Sequence, residues 1–277
     1  SIFAELSEGR GTLHGGVYLD ARDVSERTLR SFRHEYETCL LSGVDLRRQL
    51  VEVAPGAHYF MGGVEINERC ETSVRGLYAA GEVAAGVHGA NRLNGNSLAD
   101  ILVFGAIAGE QAAKHASGTK LSSLDAEASP ELFRLSGLLD RGRKSIRAAQ
   151  VKENLRRLMW CGVNVVRTIT ELRATIRALR SLREQDLPAT SIELNTLRWN
   201  NDLRDYLELE AMVTVAECIA HSALARHESR GAHFIVEYPE QDDAHWFKNT
   251  VTIKDRDHIA VSAEDLADAK LPSRGRL

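Results

Sequence analysis

Two histidines, an arginine and a glutamate stand in three glycine-rich stretches: His58-Tyr-Phe-Met-Gly-Gly63, Gly76-Leu-Tyr-Ala-Ala-Gly-Glu82 and His88-Gly-Ala-Asn-Arg-Leu-Asn-Gly-Asn-Ser-Leu98. The guanidinium of Arg92 is a planar fork of donors that matches the two oxygens of a carboxylate. His58 and His88 add donors, or positive charge when protonated. Together the three read as a set able to hold an anion with carboxylate groups. Each residue alone has a plainer reading, since most arginines are solvated and a histidine before paired glycines commonly serves only its loop. The run Leu77 to Ala80 is apolar and bounded by glycines, which predicts a short buried strand. Glu82 would then sit at that strand's carboxyl end, where open α/β sheets bind ligands, and could accept hydrogen bonds from sugar-like hydroxyls.

These groups need elements to position them. Asn96-Ser97-Leu98 is expected to open a helix running through Gly109, with Asn96 or Ser97 as N-cap and Asp100 in the first turn. Such a helix start turns N–H groups and a positive dipole end toward a negative ligand. The helix from about Ser97 to Lys114 is apolar nearly all round, so burial is expected in a complete domain. Upstream, the pattern predicts a helix over 1–7 stopped at Gly9, a strand over 16–20, and a helix from Ser25 through Cys39 with Leu29, Phe32, Tyr36 and Leu40 on one face. An extended run over 46–53 and a strand over 64–67 follow. Downstream, Leu155, Leu158, Val163, Val166, Ile169, Leu172, Ile176 and Leu179 recur at three- and four-residue steps, predicting one long amphipathic helix of about 30 residues ended by Pro188. A second helix is expected over 192–227. The first is rich in arginine and the second in acids, so antiparallel packing would bring opposite charges to the seam; two solvated faces with modest pairing are the plainer outcome. A strand over 234–238 and a hairpin pairing 250–253 with 258–261 around a charged turn complete the prediction, with disordered final residues.

The bulk composition narrows the classes. The 277 residues carry a net charge of −4 and 43% hydrophobic residues, an ordinary globular balance without the basic excess of a nucleic-acid binder. No run approaches the roughly 18 apolar residues a membrane helix needs. No basic-then-apolar leader stands at Ser1. Cys39, Cys70, Cys161 and Cys218 are widely spaced with no CxxC pair, as expected of reduced thiols in the cytoplasm, which argues against an iron–sulfur cluster held by this chain.

Taken in order, His58 to Gly63, Thr72 to Glu82, His88 to Leu98 and Glu228-Ser-Arg-Gly-Ala-His233 resemble the flavoprotein subunit of succinate dehydrogenases and fumarate reductases. The resemblance extends from the first residues to about residue 250. It implies an α/β plus α fold: part of a capping domain over 1–57, part of an FAD-binding domain over 58–116, a linker over 117–130, a helical domain over 131–228 and a small β-containing tail over 229–277. It further implies an FAD-dependent oxidoreductase that interconverts succinate and fumarate by hydride transfer at flavin N5. His58, Arg92 and His88 would bind the dicarboxylate. Glu82 would meet the ribityl hydroxyls. Asn96, Ser97 and Leu98 would meet the flavin pyrimidine ring, which is negative at N1 and O2 when reduced. Glu228, Arg230 and His233 would form a buried structural pairing beside the active-site wall. An iron–sulfur subunit would carry electrons, and the setting would be cytoplasmic or peripheral at the inner membrane face through partner subunits.

The resemblance also marks gaps. No GxGxxG occurs; Gly9-Arg-Gly11 is followed by His14 where a third glycine would stand. The family's flavin-linking histidine, Thr-Glu pair and proton-donating arginine lie upstream of the matched region. The chain is therefore expected to be a C-terminal half that neither retains FAD tightly nor turns over alone, with no catalytic acid of its own. Asn94 replaces a usual glycine and is expected to adopt a left-handed φ. Ala106, Ile235, Val236 and Gln241 also depart from the pattern. L-aspartate oxidase or a related flavoenzyme is the nearest alternative, disfavoured by Met61. A non-enzymatic helical interaction module is the alternative of a different class.

Overall fold

The computed structural model describes residues 2–120, 129–255 and 258–266, so most of the expected linker and the final residues lie outside the described residues, as do two residues of the charged turn. The chain divides into two compact units, Ser1–Phe60 and Met61–Leu277.

The first unit holds α1 (Ile2–Ser7), β1 (Val17–Leu19), α2 (Glu26–Ser31), α3 (Arg33–Leu41) and β2 (Val51–Val53). β1 and β2 pair antiparallel with Val17 opposite Val53. Gly16 lets the strands close: an added Cβ would lie 2.7 Å from the Val53 carbonyl oxygen. Ser25 caps α2 as expected, its Oγ accepting the Thr28 N–H at 3.2 Å. The predicted single helix over 25–39 is broken at Phe32, however, which has φ −112° and is 58% exposed. The Ser31 hydroxyl donates back to the Thr28 carbonyl at 2.6 Å, a local bond that competes with the helical ladder.

The second unit holds α4 (Asn96–Gly118), α5 (Ser129–Leu139), α6 (Ala148–Gly162), α7 (Ile169–Ser181), α8 (Asn201–Ala225), the short α9 (Asp243–Trp246) and the antiparallel hairpin β3 (Lys248–Asp255) with β4 (His258–Asp265). Its core is α-helical. Val151 and Leu155 of α6, Leu172 and Leu179 of α7, and Leu209, Val213 and Ala216 of α8 are buried together, with Ile192 and Ile235 closing the ends. The fold is thus helix-rich with two small sheets, and no described helix is long and apolar enough to cross a membrane.

The expected long helix is two helices. α6 stops at Gly162, where an added Cβ would lie 1.9 Å from Thr175 Oγ1, so only glycine lets α7 pack this closely there. Thr168 restarts the ladder as N-cap by accepting the Glu171 N–H at 3.1 Å. The apolar period ran across the break because both helices bury the same kind of stripe. Likewise, 192–200 is not helical: Asn200 caps α8 through the Leu203 N–H at 2.9 Å, and Ile192 bridges to Gly142. Of the basic and acidic faces, Lys152 reaches Glu208 at 2.7 Å and Asp205 at 3.2 Å, and Arg183 grips Glu217 at 2.7 Å. Arg156 and Arg180 pair within their own segments instead, with Glu153 and Glu184.

Three predicted strands shrink to isolated bridges. Residues 77–80 offer only the Glu71–Tyr78 bridge, 64–67 only Val64–Ala84, and 234–238 only Arg167–Ile235. Leu77 is 52% exposed, so the apolar run is not a buried strand. The run meets residues 70–72 through only two bonds, Ala79 N–H to the Cys70 carbonyl at 3.1 Å and Thr72 N–H to the Leu77 carbonyl at 3.0 Å. At 234–238 the Ile235 N–H goes to the Ser229 hydroxyl at 3.1 Å, which favours a turn. The hairpin is longer than predicted.

Candidate functional site

In the second unit, backbone bonds join Val64, just after the first glycine-rich stretch, to the residues that follow the second. Val64 N–H donates to the Val83 carbonyl at 2.8 Å and Ala85 N–H to the Val64 carbonyl at 2.9 Å. Gly63 is required there, since a Cβ would sit 2.2 Å from the Val83 oxygen. Gly81 to Val83 form a single 3₁₀ turn with Glu82 exposed on it, in place of the expected strand end. A loop with left-handed glycines at 86, 89 and 95 follows, and a Cβ at any of the three would meet nothing within 4 Å.

Within that loop His88 and Arg92 turn partly inward. His88 Nε2 lies 3.2 Å from Asp100 Oδ2, and the two side chains are only 6% and 1% exposed. Arg92 is half-buried, and its Nη1 donates to the Leu93 carbonyl at 3.3 Å. The helix starts one residue earlier than expected. Gly95, at φ +85°, is the N-cap of α4 and no side chain caps it, so neither Asn96 nor Ser97 does so; Asn96, Ser97 and Leu98 form the first turn. Asn94 is not left-handed, because Gly95 takes that conformation instead. Asp100 does not serve as an exposed first-turn acid; it is buried against His88. Leu98, Leu102 and Val103 are 65%, 72% and 54% exposed, leaving an apolar face on α4 beside the loop. His58 belongs to the first unit, exposed in the extended segment after β2.

The segment after α8 packs on the same loop. Ala232 N–H donates to the Ala90 carbonyl at 3.0 Å, and Arg230 and His233 exchange backbone bonds of 2.8 and 3.0 Å around the turn. Gly231, at φ +58°, would place a Cβ 2.3 Å from the Ala90 oxygen. Glu228 is fully buried and accepts from Arg226 at 2.6 Å, Arg230 at 2.8 Å and the Asp242 N–H at 2.9 Å. Burial would raise its pKa, but hydrogen bonds from Arg230, the Asp242 N–H and Arg226 outweigh that and hold the carboxyl below its usual range. Arg226 also donates to the carbonyls of Trp246 and Lys248 at 2.7 and 3.1 Å, tying helix end to hairpin. The contacts of Arg226, Gly231 and Asp100 were not expected from the sequence. The Arg-x-Glu-x-Arg alternation around Glu228 was the one available signal for the first of them.

His233 is held between the Arg167 guanidinium, 3.2 Å from Nδ1, and the Arg226 carbonyl, 3.2 Å from Nε2. Burial first, and then the charge of Arg167, lower its pKa from 6.5 to about 4. The unfolded chain therefore binds a proton that the fold refuses. Stability is full above pH 6.5 and falls as pH drops toward 4, by on the order of 2 kcal/mol from this group. Urea midpoints across that window should fall with pH in the native chain and flatten in His233→Gln.

A family profile described as FAD binding domain matches residues 1–98, and one described as Fumarate reductase flavoprotein C-term matches residues 152–276. The matching subunit of the fumarate reductase (CoM/CoB) from Methanothermobacter marburgensis is 40% identical over 248 residues, covering 87% of this chain and 43% of that protein. The fumarate reductase flavoprotein subunit of Escherichia coli is 37% identical over 282 residues, covering 98% and 46%. A solved structure of Escherichia coli quinol fumarate reductase superposes with a TM-score of 0.86 at 35% identity, covering 98% of this chain and 48% of that one. The chain thus spans under half the length of these relatives. With both profiles in order and the glycine-rich loop closed onto the Glu228–His233 turn, the chain belongs to the succinate dehydrogenase and fumarate reductase flavoprotein family.

Proposed function

We propose that these residues form the dicarboxylate-binding and ring-contacting part of an FAD-dependent enzyme that interconverts fumarate and succinate. The observation that carries the reading is the loop from Gly86 to Gly95, which places half-buried Arg92 directly before the start of α4. The residues suit the ribityl and ring portions of FAD: an exposed carboxylate at Glu82, an uncrowded glycine backbone, and a helix start flanked by the apolar face of Leu98 and Leu102. No glycine-rich diphosphate loop accompanies them. When bound, FAD supplies hydride transfer to or from a substrate carbon.

The protein's own part is recognition and polarisation. Arg92 clamps one carboxylate of the substrate in a bidentate grip. Such donors act most strongly on the charge that builds as a proton and hydride cross the double bond. Glu82 would hold the ribityl hydroxyls and the backbone of Asn96, Ser97 and Leu98 would hold the pyrimidine ring, where the helix dipole favours negative charge. The proton donor lies outside these residues, and electrons pass through an iron–sulfur subunit. This part alone does not turn over.

An absorbance spectrum with a turnover assay tests the reading. The purified chain is expected to be colourless. A longer flavoprotein containing it should be yellow and should oxidise a reduced dye only when fumarate is added. Turnover of L-aspartate in place of fumarate and succinate would sink the assignment.

A further inference from the structure

We propose that Asp100 is a positioning residue: by accepting a hydrogen bond from His88 it staples together the two ends of the loop that carries Arg92. The proposal rests on the dicarboxylate reading only for its effect on substrate.

His88 Nε2 and Asp100 Oδ2 are 3.2 Å apart with side chains 6% and 1% exposed. A carboxylate taken so far out of water is destabilised by several kcal/mol unless it is bonded to a donor. An ionised carboxylate only accepts, so the imidazole Nε2 is the donor in this pair. The two residues bracket the chain from Gly89 to Ala99. Gly89 and Gly95 within it are left-handed at φ +59° and +85°, with nothing within 4 Å of an added Cβ, so side-chain packing at these glycines does not hold the backbone. Glycines of this kind leave a segment with much conformational freedom to lose. A bond across the base removes the end-to-end part of that freedom. One side of the staple is rigid: α4 runs 23 residues, and the Cys70 thiol meets the Phe104 carbonyl at 3.5 Å one turn further on. The staple also borders a cavity of about 250 Å³ lined by His88, Asn96, Asp100, Val103 and Phe104. Arg92 therefore receives its position from a carboxylate that is not itself a substrate contact.

The chain labelled with ¹⁵N-histidine and ¹⁵N-glycine gives the first readout. Native His88 should carry its proton on Nε2, with single sharp amide signals for Gly89 and Gly95. Asp100→Ala should move the His88 ring nitrogens toward the solvated pattern and broaden both glycine amides, while His233 stays fixed. Asp100→Asn, which keeps an acceptor, should fall between. Unchanged ring and glycine signals in Asp100→Ala would overturn the proposal. If Asp100→Ala loses the hairpin signals as well, His88→Ala takes its place, with the same broadening expected and its absence equally fatal. The double variant should broaden no further than either single one, because one contact is being removed twice. In the FAD-loaded flavoprotein, Asp100→Ala should raise KM for fumarate about tenfold, with the larger share of the loss in KM and partial recovery in Asp100→Asn. A loosened loop with unaltered KM would leave the staple standing and count instead against this loop as the dicarboxylate site.

Discussion

Gly231→Ala is expected to destabilise the second unit by about 2–4 kcal/mol and to loosen the loop that bears Arg92. Two separate effects add at this position. The backbone has φ +58°, where an L side chain is strained. The new Cβ would also lie 2.3 Å from the Ala90 carbonyl oxygen and 2.6 Å from its carbon. Neither atom is the flexible end of a side chain, so relief requires moving backbone. The Ala232 N–H to Ala90 O bond, 3.0 Å long, would be the first to open. Ala90 stands two residues from both His88 and Arg92, so the displacement passes directly to the binding loop. Urea unfolding of the purified chain reads the stability term. Gly89→Ala is the control, because its φ of +59° is nearly the same but open space surrounds it. It should lose only the conformational share, about 1 kcal/mol. Equal losses in the two variants would show that contact with Ala90 contributes nothing.

The second large effect concerns Glu228. Its side chain is fully buried, with Arg226 and Arg230 beside it at 14% and 17% exposure. Removing the carboxylate in Glu228→Ala leaves two poorly hydrated guanidinium groups and the Asp242 N–H without their shared acceptor. Truncating one partner of a buried pair typically costs 3–5 kcal/mol, and about that loss is expected here. Arg230 keeps one alternative, Asp243 at 2.7 Å, which is 50% exposed and better solvated. Arg226 keeps the Trp246 and Lys248 carbonyls, so the damage should centre on the segment from Glu228 to Asp242, whose N–H loses its acceptor. Hydrogen exchange should therefore accelerate at Asp242 before it does in β3. Asp243→Asn should cost under about 1 kcal/mol, as half-exposed pairs do. Because the Glu228 carboxyl is held below its usual range, its stabilising share is present above about pH 4.5 and lost below it. The His233 contribution is lost in the higher window, between pH 6.5 and about 4, which lets the two be separated by titration.

The glycine-rich stretches were legible as stretches, while the turn at Glu82, the cap of α4 and the contact of Asp100 were not. Glycine-rich stretches with His58, Glu82 and Arg92 declare themselves because glycine and paired donors are chemically rare in combination. The helices α1 and α4, the Ser25 cap, and the hairpin were readable because each depends on local spacing. The breaks at Phe32 and Gly162 were not. A 3.6-residue period reports which side of a helix is buried, and it continues unaltered when a second helix buries the same kind of stripe. Only the proximity of Gly162 to Thr175, between separate helices, reveals the break. The strand at 77–80 failed for a related reason: apolar runs bounded by glycine predict burial, but a ladder depends on neighbours that composition cannot supply. Asp100 was expected only in the first turn of α4 because that position is local, while its distance to His88 is tertiary.

Everything proposed for this loop turns on Arg92 clamping a dicarboxylate beside the flavin. The most direct test is stopped-flow reoxidation of the reduced, FAD-loaded flavoprotein by fumarate, comparing the native protein with Arg92→Lys. Lysine keeps the charge but loses the fork, so the account predicts a loss of about 100-fold in the fumarate-dependent rate, with flavin content unchanged. A rate within roughly twofold of the native protein, at equal flavin loading, would contradict it.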